Sequence, residues 1–155
     1  MKLLEMFKEP INRKDLLSVI KQALFMSVVG GLLVGSIYLL IDVYIGIEFK
    51  FFLLFVFAVV LSRRMHEAYS IYHVLYSVVA ILAVFLTYYL MHATYSSGIV
   101  YMTDSSFTDN LLYIFDPLRY FNFLNIFAAR FLTVINLLDV FFFIVINIYI
   151  VRYLK

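Results

Sequence analysis

The sequence predicts an all-α integral membrane protein. It has four transmembrane helices, an N-terminal amphipathic interfacial helix, and a re-entrant or interfacial segment before the last span. Three observations carry this reading. The chain of 155 residues is 65% hydrophobic and 14% charged, with a mean hydropathy of +1.00, whereas an ordinary soluble domain is roughly 45–50% apolar. Its apolar residues are gathered into runs near the ~20 residues that cross a bilayer core. A short charged break, Ser62-Arg63-Arg64-Met65-His66-Glu67, stands between two such runs and marks where the chain leaves the membrane.

Residues 1–20 alternate Leu3, Leu4, Met6, Phe7, Leu16 and Leu17 with Lys2, Lys8, Arg13 and Lys14, and Pro10 divides them into two pieces. Asn12 is placed to cap the second piece, with Asp15 in its first turn. Such a segment lies on the membrane surface with its bases toward anionic headgroups. The apolar run here is too short and too charged for a signal peptide and no small-residue cleavage site follows, so the N-terminus is expected to be retained.

The first span covers residues 23–45. Within it Ser27, Gly31 and Gly35 fall at i, i+4 and i+8, a face almost bare of side chains that lets another helix approach closely. The second span, 47–62, is short, because only Phe51 to Ser62 lies between Lys50 and Arg63. Glu48 and Lys50 are therefore expected among the headgroups, with Lys50 snorkelling. The third span is 67–91. His66, Ser70, His73 and Ser77 recur at helical spacing and predict one polar face turned into the bundle. Residues 92–130 form a polar connection, in which Asp116-Pro117 opens an interfacial helix over 118–127. The fourth span, 131–151, contains Asn136, Asp139 and Asn147, the costliest residues in the chain to place in lipid.

Of the twelve Lys and Arg, nine (Lys2, Lys8, Arg13, Lys14, Lys21, Arg63, Arg64, Arg152 and Lys155) fall on one side of these spans. The positive-inside rule then places both termini in the cytoplasm of a multi-pass protein of the cell membrane, with Lys8, Arg13, Lys14, Arg63 and Arg64 at the membrane surface. The heavy use of Ile, Phe, Tyr, Lys and Asn suggests an AT-rich bacterial genome.

Asp139 is the sharpest candidate for chemistry. It lies thirteen residues before Arg152, roughly 19 Å from that interface and past the middle of a core about 30 Å thick. Asn136 precedes it by three residues and is expected to hydrogen-bond it, while the sequence offers no Lys or Arg at that depth to pair with it. The acid then serves a proton or cation relay, a polar contact to a partner, or a hydrogen bond between helices worth about 1 kcal/mol or less. His73 is expected about two turns inside the interface, level with Asn147. His66-Glu67-Ala68-Tyr69-Ser70 begins like a helical zinc-protease motif but has Ser70 where the second His belongs. The absence of cysteine excludes thiolate sites, and no phosphate loop, nucleophile elbow or basic nucleic-acid groove is present.

No cofactor, metal or catalytic set is therefore assigned. The sequence points to a non-catalytic subunit or regulator of a larger membrane or cell-envelope complex, whose partners are the lipid bilayer and a membrane protein or further copies of itself. A small oligomeric transporter or channel using Asp139 and the third-span polar face is the alternative. A membrane-embedded enzyme built on His66, Glu67 and His73 comes last.

Overall fold

The computed structural model describes residues 11–103, 108–128 and 131–155. Lys8, Arg130 and the first part of the expected surface helix lie outside the described residues. What is described is helical, with no strand among these residues. Three helices are long and apolar enough to cross a membrane: α1 (Arg13–Ile45), α3 (Val74–Met102) and α6 (Val134–Leu154). A shorter helix, α2 (Lys50–His66), lies between the first two. Two single-turn pieces, α4 (Leu111–Ile114) and α5 (Pro117–Tyr120), and a 3-10 turn at Asn122–Leu124 lead into α6.

Helix α1 begins where the capping pattern places it. Asn12 Oδ1 accepts from the Lys14 N–H at 3.1 Å, and Asp15 sits in the first turn, where a carboxylate suits the positive end of the helix. No separate surface helix ends near residue 20, because nothing between Arg13 and Gly46 breaks the helix. Its 33 residues run on for about 50 Å, so residues 13–20 are the start of the first long helix. Gly46 stops it with φ +71, and its N–H bonds to the Asp42 and Ile41 carbonyls at 2.9 and 3.2 Å, the left-handed ending that glycine adopts without steric cost.

The third expected span is shifted along the chain. Residues 67–73 are an irregular turn, and α3 starts only at Val74, where His73 Nδ1 accepts from the Leu75 N–H at 3.1 Å. Side chains in the turn divert the backbone from a helix. Ser70 donates through both its N–H and its hydroxyl to Asp15 Oδ2, at 3.1 and 2.9 Å, and ties the turn to α1. At its other end α3 continues eleven residues beyond the expected limit of 91, to Met102. The Ser97 hydroxyl there is satisfied inside the helix, donating to the Ala93 carbonyl at 2.7 Å. The interfacial helix expected over 118–127 is only α5 and the 3-10 turn. Asp116 caps α5 by accepting from the Leu118 N–H at 3.0 Å, with Pro117 in first place.

Helices α1 and α3 run parallel and form the most extensive pair in the bundle; α2 and α6 form the second pair and close it. The core passes through Ala23, Leu54, Ala58, Leu61, Ala80, Val84, Ile146 and Ile150. Bonds from Ser70 to Asp15 and from the Tyr69 hydroxyl to the Leu154 carbonyl gather the start of α1, the α2–α3 turn and the end of α6 at one end of the bundle. The opposite end holds the α1–α2 turn and the described part of the connection from α3 to α6, residues 108–128. From that end Phe123 re-enters the bundle. It is buried among Phe51, Tyr88 and Phe143, at ring separations of 6.4, 5.4 and 5.5 Å.

Candidate functional site

The polar groups converge near this second end, where α1, α2, α3 and α6 meet. Lys50, the first residue of α2, places its Nζ 2.8 Å from Asp139 Oδ2, with the two side chains only 17% and 18% exposed. The expectation that no base reaches the level of Asp139 is therefore corrected: the base is Lys50. Its place follows from aromatic packing. The Phe51 ring stacks on Tyr88 and on Phe142, at 6.1 and 6.0 Å, and this draws the start of α2 below the end of α1. Asp139 is the sixth residue of α6, about 8 Å along the helix from its start. Asn136 does not bond Asp139; its Nδ2 donates to the Phe123 and Phe131 carbonyls at 3.0 and 3.1 Å and holds the re-entrant turn onto α6.

Beside this pair lies an aromatic array. Tyr95 donates to Asp42 Oδ2 at 2.6 Å, and Tyr38 stacks on Tyr95 at 4.6 Å. The His92 ring stacks on Tyr120 at 5.3 Å and meets the Tyr88 edge at 4.5 Å. Tyr120 donates to the Ile114 carbonyl and shares a 3.0 Å hydrogen bond with Ser96 Oγ, and burial pushes its hydroxyl above the usual tyrosine value. Replacing Tyr120 with Phe leaves the buried Ser96 hydroxyl and Ile114 carbonyl short of a partner. A loss of about 1–3 kcal/mol in stability is expected, to be measured by denaturant unfolding of the purified protein in detergent.

Ser27, Gly31 and Gly35 face α3. Ser27 donates to the Ala83 carbonyl across the interface at 3.0 Å. A Cβ at Gly31 would stand 2.6 Å from Leu90 Cβ, and one at Gly35 2.6 Å from the Met91 carbonyl oxygen. The face lies inside the chain's own helix pair.

The stripe of His66, Ser70, His73 and Ser77 does not form. His66 ends α2, Ser70 is in the turn, His73 caps α3, and Ser77 Oγ bonds the Tyr72 hydroxyl at 2.9 Å. A helical face requires one unbroken helix, and the turn at 67–73 separates these residues. His73 is 5% exposed, and its Nε2 meets no partner among the described residues. Asn147 donates to the Phe143 carbonyl at 2.8 Å and lines a groove with Ile81 and Phe85, about two turns along α3 from His73. Burial beside Tyr72 and Tyr76 pushes the Tyr69 hydroxyl up to about 12, so it remains the donor that holds Leu154. Arg13, Lys14, Arg63 and Arg64 are exposed at the same end of the bundle.

The residues that the sequence did not single out for the site are Tyr38, Asp42, Tyr88, His92, Tyr95 and Tyr120, while Lys50 was expected among the headgroups and not beside Asp139. Part of the signal is present, since Tyr38 and Asp42 are four apart and Tyr88, His92 and Tyr95 follow at i, i+4 and i+7. Extending α3 through residue 95 would have revealed it. Among the described residues no three His, Cys, Asp or Glu come together as a metal site. Searches against family models, curated proteins and solved structures find no match to this chain.

Proposed function

We propose that this chain is a non-catalytic subunit or regulator of a larger membrane or cell-envelope complex. The observation that carries the reading is that the acids inside the bundle are held by partners within the chain, while His73 Nε2, His92 Nε2 and Asn147 Oδ1 are buried with no hydrogen-bond partner among the described residues. Asp139 is held by Lys50, Asp42 by Tyr95, Ser27 by a backbone carbonyl, and Asn136 by the re-entrant turn. A proton or ion path needs an acid that is free to exchange its partner, and this arrangement gives the transporter reading less support. The faces left outward are apolar, with Leu24, Phe25 and Leu33 on α1 and Phe141, Ile144 and Ile148 on α6, and they suit lateral association within a membrane.

In this reading α2 is a fourth, short span. Its 17 residues reach about 25 Å, so the bilayer thins beside it. Both termini are cytoplasmic in the plasma membrane, because Arg13, Lys14, Arg63, Arg64 and Arg152 gather at one end of the spans.

The test is a mild-detergent pull-down of the tagged protein from its native membranes, with mass spectrometry of proteins and lipids. A membrane protein at fixed stoichiometry is the expected result. A homo-oligomer alone, together with ion flux in vesicles that Asp139→Asn abolishes, would overturn the reading in favour of a transporter.

A further inference from the structure

A groove of about 590 Å³ runs between α2 and α6 and takes none of its lining from α1 or α3. Its walls are apolar along Phe52, Phe55, Leu138, Phe142 and Val145, while Glu48 and Lys50 line it where α2 begins and Asp139 meets Lys50 at 2.8 Å. On α6 it extends from Ile135 to Ile146, eleven residues or about 16 Å, close to half of a ~30 Å hydrocarbon core. From Asp139 to Ile146 the apolar wall runs on for about 10 Å beyond the charges, room for the first part of one acyl chain below a headgroup.

We propose that this groove is a lateral binding site for a glycerophospholipid with a primary-amine headgroup of the phosphatidylethanolamine type. The charges select that chemistry. One base and two acids leave the groove with a net negative charge, which disfavours an anionic headgroup. Glu48 is exposed and makes no ion pair among the described residues. Asp139 engages Lys50 through Oδ2, so Oδ1 is left for a second donor. The lipid ammonium donates to Glu48 and Asp139 Oδ1, and its phosphate accepts from the Lys50 protons not directed at Asp139. One acyl chain follows the apolar wall. A choline headgroup has no N–H to donate and loses these bonds. The site is separate from the proposed partner association, so either can fail without the other.

The test is native mass spectrometry of the full chain, delipidated in detergent and titrated separately with phosphatidylethanolamine, phosphatidylcholine and phosphatidylglycerol. Phosphatidylethanolamine is expected to bind about tenfold more tightly than the other two, the ratio that one charge-assisted contact supplies. Glu48→Gln, at an exposed position, should reduce that preference. Leu138→Trp, which fills the groove from a half-exposed position, should reduce occupancy by all three lipids. Equal binding of the three lipids, an unchanged preference in Glu48→Gln, or a second copy of the chain cross-linked through Leu138 in place of lipid would each overturn the assignment.

Discussion

Gly35→Leu is expected to unfold the chain, not merely to release a partner. Helices α1 and α3 touch through backbone here: a Cβ on Gly35 would lie 2.6 Å from the Met91 carbonyl oxygen, 2.7 Å from Thr94 Cβ and 3.1 Å from Met91 Cα. None of these atoms can rotate away, so the helices must separate. Separation undoes the Ser27 bond to the Ala83 carbonyl and the Asp42–Tyr95 bond along the same seam. Overpacking usually costs about 1–3 kcal/mol, and this site belongs at or above the top of that range because the obstacle is main chain. Gly98→Ala is the control. Its Cβ would meet Leu39 Cδ2 at 2.2 Å, the far end of a flexible side chain, and a rotamer change relieves it. SDS-titration unfolding followed by circular dichroism should place Gly35→Leu far below wild type and Gly98→Ala near it. A Gly35→Leu midpoint equal to wild type would refute this account of the α1–α3 seam.

Lys50→Met and Asp139→Leu should each destabilise the protein, and the double variant should be more stable than the two single losses predict. Lys50→Met strips the base from Asp139, whose side chain is 18% exposed in the intact pair and lines the groove with Phe51, Leu138 and Phe142. Removing one partner of a buried pair typically costs about 3–5 kcal/mol, whereas replacing both with apolar groups is often close to neutral. A double-mutant cycle should therefore return a coupling of about 1–3 kcal/mol. Because both side chains of the pair keep some exposure, the lower part of that range is expected. Strictly additive single effects would show that the ion pair does not hold α2 to α6.

Local signals in the chain were sufficient for several elements. Asn12 before Asp15 and Asp116 before Pro117 read as helix starts, and both cap through their side chains. The four-residue spacing of Ser27, Gly31 and Gly35 reads as a face for close approach, and the structure places α3 against it. Such signals act over one or two turns and do not depend on what the rest of the chain does. The His66–Ser77 stripe shows where this stops: its spacing is helical, but a bond from Ser70 to Asp15, 55 residues away, holds the turn that separates it.

Composition and apolar period thus dictate that the chain is helical and membrane-like, because burying backbone polar groups in lipid requires helices whatever their neighbours are. Which charges meet is a different matter. Lys50 and Asp139 are 89 residues apart, and counting residues from the nearest charged break gave a depth for each but no common origin. The Phe51 stack on Tyr88 and Phe142 sets how far α2 descends. Helix packing, a property of all the spans at once, thereby converts an unpaired acid into one half of an ion pair.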